Sequence, residues 1–439
     1  MKLQPPRGTR DFYPEDMAWR RRLLDAWRRV SIRHGFEEVD GPLFETLDLY
    51  KVKSGEGIVS ELFHFEDRGG RELAIRPEFT PTLARMVAER ANSLTKPIKW
   101  FCVPTLCRAE RPQRGRLREF DQWNVDILGS DAPVADAECI LVAVDLVKEL
   151  GLGPHQVRVK ISHREVVRQI LSKLGVAEEH MNAAFNLLDA RDKMTPEAFR
   201  EEAGRLGLDE SRVERFEQMC RRKYPAGDVE HLARSVGIDE GFAELEALDR
   251  QLTAFGLSEW CEYDLGIVRG LAYYTGLVFE LHEATGVERA LAGGGRYDQL
   301  IELFDGPSTP AVGFGMGDVV LTNVLRDKGL VGDDHLPRPD AFVIPSSEAV
   351  DADAAALVTD LRMAGLHARF SYKATRNVGK LLKEAAASRA RYAVIVEEGG
   401  KLSLKDMDSG EQADVARDAV VERLRGETSG RNMVRPSRG

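Results

Sequence analysis

The chain has 439 residues, 43% hydrophobic and 31% charged, with a net charge of −10, which is the composition of a folded, multi-domain protein. That acidity excludes a protein that coats nucleic acid indiscriminately, since counterion release needs clustered positive charge, but it leaves room for a local basic site. No apolar run approaches a membrane span, MKLQPPRGTRDF carries no signal core, and five cysteines form no CxxC pair; the expectation is a cytoplasmic protein with reduced thiols and no thiolate metal site.

In chain order, Leu23, Leu24, Trp27 and Val30 recur at helical spacing and predict a helix over Glu15 to His34. A short strand, FEEVD, precedes Pro42. The β-rich runs ELFHFED and RELAIRPE, joined by Arg68-Gly69-Gly70, predict a hairpin. Thr80-Pro81 reads as a helix start, with threonine as N-cap and proline in the first turn. Lys99 to Leu106 and Glu119 to Leu128 then read as strands on either side of an arginine-rich segment. Ser162 to Gly256 is charged and helix-favouring, and so predicts a helical insertion. Strand character returns at Ile267 to His282 and Arg289 to Gly295, and AVGFGMGDVVLTNVL reads as a strand running into a helix. After the polar, proline-rich connector LVGDDHLPRPD, strands and helices alternate in the rhythm of a small α/β domain, with helices over Ala349 to Ala364 and Val378 to Ala387. The tail after Gly426 is expected to be disordered.

The segment CRAERPQRGRLREFDQWNVD, Cys107 to Asp126, holds Arg108, Arg111, Arg114, Arg116 and Arg118 in an acidic chain. Solvation on a loop accounts for Arg111, Arg114 or Arg118 taken singly. Arg108 and Arg116 stand on adjoining strands whose alternation can aim both guanidinium forks at one phosphate. Phe120, farther along the returning strand, offers a stacking face to a purine.

RAERPQRGRLREFDQ resembles motif 2 of the class II aminoacyl-tRNA synthetases, and in detail that of the histidyl-tRNA synthetases. RGTRDFYPEDM and HGFEEVDGPLFE look like the start and motif 1 of that family, with Pro42 as the motif 1 proline. RPEFTPTLAR resembles its amino-acid loop, IVRGLAYYTGLVFE and AGGGRYDQL its two histidine signatures, TPAVGFGMG the start of its motif 3, and KDMDSGEQADVARD its anticodon-binding domain. The resemblance implies an α+β catalytic core with an antiparallel sheet (the class II fold) over residues 1–160 and 257–328. It also implies a helical insertion over 161–256 and a C-terminal α/β anticodon-binding domain over 338–426. The implied reaction is activation of L-histidine by ATP, with Mg2+, to histidyl-adenylate, followed by transfer to the 3′ end of tRNA-His. A cytoplasmic homodimer with no membrane association is implied as well.

Carried over residue by residue, the resemblance makes Arg108 and Arg269 the catalytic arginines that stabilise charge at the α-phosphate. ATP is then held by Arg108, Glu110, Arg116 and Phe120. Histidine is held by Glu78, Thr80, Arg108, Gln122, Asp126, Arg269, Tyr273 and Tyr274, with Asp126 and Tyr273 on the imidazole; no protein metal ligand is implied. A site built to hydrogen-bond a side chain rejects analogues lacking it by about 10⁴ or more, so no editing domain is required. The chain departs from the pattern at two places. Ala272 stands where the family often has aspartate, and Val320 stands where motif 3 normally carries the arginine that holds the γ-phosphate. The second departure admits an alternative, a catalytically silent paralogue acting as regulatory subunit of ATP phosphoribosyltransferase; an active enzyme whose γ-phosphate is held by Arg114, Arg116 and Mg2+ is the favoured reading. In the C-terminal domain, Arg362, Arg369, Lys373, Arg376, Lys380 and Lys383 run without an intervening acid, a strip suited to tRNA backbone.

Overall fold

The structure, a computed structural model, describes residues 3–54, 56–191, 194–237, 242–268, 274–332 and 336–429. Two compact units divide the chain, Met1–Asp333 and Asp334–Gly439.

The first unit opens with α1 (Pro14–Arg33), whose Trp19, Leu23, Trp27 and Val30 form one buried stripe. Then come β1 (Glu37–Glu38), β2 (Phe44–Thr46), α2 (Leu47–Ser54), β3 (His64–Glu66), β4 (Glu72–Ile75) and α3 (Thr80–Arg90). The strands β5 (Ile98–Cys102), β6 (Thr105–Cys107) and β7 (Glu119–Leu128) bracket the arginine segment, and α4 (Pro133–Glu149) and β8 (Val157–His163) follow. The insertion comprises α5 (Arg164–Lys173), α6 (Met181–Ala190), α7 (Pro196–Arg205), α8 (Glu210–Arg221), β9 (Tyr224–Pro225), α9 (Val229–Val236) and α10 (Phe242–Ala254). The unit closes with β10 (Cys261–Tyr263), β11 (Leu277–Glu283), β12 (Ala292–Arg296), β13 (Ala311–Gly317) and α11 (Asp318–Asp327).

One ten-stranded sheet organises this unit, in the order β1-β5-β7-β13-β12-β11-β8-β10-β9, with β6 pairing on β7. From β5 through β8 every neighbouring pair is antiparallel, as the resemblance implied. Because side chains alternate across a strand, β7 presents two different faces. Trp123 and Val125 point into the main core, where Trp123 stacks on Trp27 of α1 and meets Phe314 edge-on. Phe120, Gln122, Asn124 and Asp126 take the opposite face. The three strands β2, β4 and β3 form a separate small antiparallel sheet, with β3 and β4 as the expected hairpin.

One expectation fails locally. Thr80 is the first residue of α3 rather than its cap; Phe79 precedes the helix and no side-chain cap bond forms.

The second unit is built from β14 (Ala341–Pro345), α12 (Asp351–Met363), β15 (Ala368–Phe370), α13 (Val378–Ala387), β16 (Tyr392–Val396), β17 (Leu402–Asp406), β18 (Gln412–Val415) and α14 (Arg417–Ser429). Its sheet runs β15-β14-β16-β17-β18, parallel in the first three strands and antiparallel in the rest. Leu357, Leu361, Val420 and Leu424 cover one face, while Leu381 and Ala385 cover the other. The strand β18 was not expected, because its exposed residues lack an apolar alternation. The final helix continues past Gly426 to Ser429, and the rest of the tail lies outside the described residues.

Candidate active site

The sheet face that carries Gln122, Asn124 and Asp126 is bare on the neighbouring strands. Gly313 pairs with Asp126 and with Gly295, and Gly315 pairs with Asn124 and with Gly293. A Cβ on Gly313 would lie 2.0 Å from Asp126 Oδ1, and one on Gly315 would lie 2.9 Å from the Gln122 amide carbon. Only glycine therefore lets polar side chains of β7 lie across the adjoining backbone. The resulting trough is lined by Glu78, Thr80, Arg108, Gln122, Asn124, Asp126, Tyr274 and Tyr297.

At one end Asp126 is buried, and among the described residues desolvation is opposed only by the Tyr297 hydroxyl, which donates a hydrogen bond to Oδ1. Burial pushes the Asp126 carboxyl up to about 7. Tyr297 is fixed by its neighbours. Arg296 makes a bidentate buried pair with Asp136 of α4, at 3.0 and 2.8 Å, and Asp298 accepts from the Thr275 hydroxyl at 2.8 Å. The GGGRYD run thus contains a floor, an anchor, a donor to Asp126 and a clamp on the Thr275 turn.

Along the side wall, Glu78 precedes α3 and pairs with Lys53 at 2.5 Å; the Lys53 side chain is only 1% exposed. Desolvation lowers the Lys53 ammonium, against the pull of Glu78, and the nearby Arg108 lowers it further. Thr80, released from capping, stands at the same wall.

At the other end Arg108 follows β6. Its backbone N–H bonds Arg118 O across the hairpin, its Nε donates to Pro77 O at 3.0 Å, and its guanidinium lies 5.2 Å from the Phe120 ring centroid. Arg116 makes a close ion pair with Glu110. Arg118 donates Nε to the Glu110 carbonyl and its N–H to Gly8 O, which makes it a brace for the N-terminal segment. Arg111 is exposed.

Arg114, expected at the γ-phosphate, is engaged within the chain. It pairs with buried Glu288 at 2.5 Å and with Asp327 at 3.0 Å, so two carboxylates already neutralise its guanidinium. Val320 is buried in the main core, with Cγ2 3.2 Å from where a Gly115 Cβ would stand. Asp318, two residues earlier, receives Arg10 at 2.8 Å and the Asp121 N–H at 3.1 Å, tying the start of α11 to the N-terminal segment.

Of the side chains expected around histidine, Glu78, Thr80, Arg108, Gln122, Asp126 and Tyr274 line this one trough. Arg269 and Tyr273, with Ala272, lie outside the described residues. Of the ATP set, Phe120 shares the β7 face with Gln122 and Asp126, while Glu110 and Arg116 are paired with each other on the hairpin. The sequence reading missed Asn124, Tyr297 and Lys53. The first was legible from its period-two spacing between Gln122 and Asp126, and the second from its place in the GGGRYD signature; nothing local marks Lys53. A larger cavity lined by Lys160, Arg191, Lys223 and Asp264 opens beside the insertion and reaches Val268, but it contains none of the expected residues. Among the described residues, no group of three His, Cys, Asp or Glu side chains could hold a metal ion. In the second unit the basic strip is partly neutralised: Arg376 pairs with Asp351 and Lys373 with Glu384, while Arg369, Lys380, Lys383 and Tyr372 are exposed.

Comparison with known proteins follows the same division of the chain. A family model described as histidyl-tRNA synthetase matches residues 8–318, and one described as anticodon binding domain matches residues 340–427. Among curated relatives, the chloroplastic/mitochondrial histidine–tRNA ligase of Arabidopsis thaliana is 39% identical over 94% of this chain and 85% of its own. The histidine–tRNA ligase of Opitutus terrae is 38% identical over 95% and 97%, respectively. Among solved structures, a histidyl-tRNA synthetase from a Nostoc species shares the fold with a TM-score of 0.80 at 24% identity, covering 97% of this chain and 100% of its own. The apo histidyl-tRNA synthetase of S. aureus gives 0.73 at 25% identity, covering 96% and 100%.

Proposed function

Because the chain belongs to the histidyl-tRNA synthetase family, we infer that it catalyses the reaction of a histidine–tRNA ligase: ATP-dependent activation of L-histidine, then transfer to tRNA-His. The observation that carries this reading is the row Phe120, Gln122, Asn124, Asp126 on one face of β7, closed at its far end by a buried carboxyl. The six residue steps from Phe120 to Asp126 span roughly 20 Å, the scale of an aminoacyl-adenylate laid from purine to imidazole. The relatives named above are histidine–tRNA ligases, and nothing favours the regulatory paralogue.

In the proposed mechanism the histidine carboxylate attacks the α-phosphorus in line, the bond to the bridging oxygen breaks, and pyrophosphate leaves. Arg108 and Arg269 stabilise charge on the α-phosphate, so the chain's contribution is positioning and electrostatics rather than a covalent nucleophile. Glu78, Thr80 and Gln122 hold the ammonium group, with Lys53 holding Glu78 in place. Asp126 accepts from the imidazole and is oriented by Tyr297; Tyr273 and Tyr274 flank the ring. Glu110 and Phe120 hold adenine and Arg116 the distal phosphates. Mg2+ commonly binds through substrate phosphates with few protein carboxylates; bound there, it would neutralise phosphate charge.

We further propose the division into a catalytic core (1–160 and 257–328), an insertion (161–256) and an anticodon-binding domain (338–426). In the last, Arg369, Lys380 and Lys383 would meet phosphates while Tyr372, 91% exposed, stacks on a base. A homodimer is proposed through the motif 1 region, supported by exposed Leu43, Phe44 and Phe65 on and beside the small sheet, two of whose rings lie 6.1 Å apart. A cytoplasmic location accords with five unpaired cysteines.

The test is histidine-dependent ATP–pyrophosphate exchange. It should be present in the purified protein and abolished by Arg269→Ala; a well-folded protein without exchange would sink the enzyme reading.

A further inference from the structure

Val320 removes the guanidinium that the motif 3 position normally supplies, and Arg114 is committed to Glu288 and Asp327. The loop between β11 and β12 carries another arginine into the same place. Seen from the point where a Gly115 Cβ would stand, Val320 Cγ2 is 3.2 Å away, Glu288 Oε2 3.5 Å and Arg289 Cδ 3.9 Å. Arg289 therefore passes the tip of the arginine hairpin beside the valine. It is half-buried. Among the described residues it has no ion pair and no side-chain hydrogen bond.

Its surroundings explain why that matters. Desolvation and the neighbouring Arg116 both weigh against its charge, and only Glu110 favours it. Glu110 is already paired with Arg116. Two guanidinium groups thus share one carboxylate in a partly desolvated corner, an arrangement that costs free energy unless an anion joins them. Guanidinium forks converging from two loops suit a terminal phosphate, which presents three oxygens and needs more than one donor group.

We propose that Arg289, together with Arg116, binds the terminal phosphate of the nucleoside triphosphate and so replaces the arginine absent at Val320. This assignment rests on the synthetase reading given above. It changes how the chain meets its second substrate: the γ-phosphate contact comes from the loop preceding the glycine strand, not from α11.

The experiment is histidine-dependent ATP–pyrophosphate exchange with Arg289→Ala, Arg289→Gln and Arg289→Lys, combined with inhibition by ADP, which lacks the terminal phosphate. Arg289→Gln keeps most of the aliphatic stem, in case alanine collapses the loop. Expected for Ala and Gln is a rise in KM for ATP of about 30-fold or more, as for a truncated charge contact, with Lys intermediate. KM for histidine and inhibition by ADP should stay within about twofold, since Arg289 stands away from the trough. An unchanged KM for ATP in an active wild-type background overturns the role of Arg289 and leaves the synthetase reading intact. Equal losses for ATP and ADP overturn the terminal-phosphate assignment. Absence of exchange in the wild-type protein overturns the synthetase reading, and this proposal with it.

Discussion

A carboxyl that holds its proton to about pH 7 inside a substrate trough links recognition to acidity. Ionised Asp126 accepts from an imidazole N–H; protonated Asp126 loses much of that capacity. KM for histidine should therefore rise as pH falls from 8 to 6, and Asp126→Asn should raise KM throughout while flattening the profile. The same residue should be visible in stability. Unfolded, an aspartate titrates near 3.9, so between about pH 4 and 7 the folded chain holds a proton that the unfolded chain has lost. Stability is then lost as pH rises through that window, by an amount on the order of 4 kcal/mol at most. Asp126→Asn escapes this cost, and melting curves should show its stability relative to wild type improving from pH 4 to pH 8. A constant difference across that range would mean that Asp126 titrates normally. The importance of Asp126 was legible from the motif around it, but its raised pKa was not, because the burial that raises it comes from elements distant in sequence.

At the scale of strands, the trough exists because β13 and β12 give up side chains where β7 keeps them. Gly313→Ala would drive a methyl into Asp126, whose carboxylate is only 2.0 Å from the new carbon. The expected result is a stability loss of about 1–3 kcal/mol and a histidine KM raised at least tenfold, with the KM for ATP less affected; equal effects on both would show that the whole sheet had shifted. Alternation made the β7 face legible, and the glycine run marked a close approach of something. What alternation could not assign was the partner of each arginine. Arg108 and Arg118 face each other within one hairpin, which local pairing predicts. Arg114 and Arg289 are decided by Glu288, Asp327 and Val320, brought in by elements that local patterns do not order in space. Thr80 misled for the reverse reason: Thr-Pro is a good cap signal, yet Phe79 had already adopted helical dihedrals.

For the molecule as a whole, the chain separates into a large unit around an antiparallel sheet and a small one around a mixed sheet. Both were legible as changes in strand–helix rhythm, while β18 was not, lacking any apolar pattern. Exposed Phe44 and Phe65 lie on the small sheet of the large unit. If the proposed homodimer forms, Phe44→Glu combined with Phe65→Glu should shift it toward monomer in sedimentation equilibrium and lower exchange activity in step; a monomeric wild-type protein would refute the proposal. In the small unit, an acid-free stretch of sequence proved to be an incomplete guide to charge, because Asp351 and Glu384 reach it from neighbouring positions in space.

The glycine floor of the trough has one further consequence. Strands usually shield their ladder hydrogen bonds with the side chains that stand over them, and here β12 and β13 have none on that face. Asp126, Gln122 and Tyr274 lie over part of that floor, and a substrate lying in the trough would complete the cover. Amide hydrogen exchange at Gly293, Gly295, Gly313 and Gly315 should therefore slow as histidine is added, making the backbone of the floor a built-in gauge of occupancy.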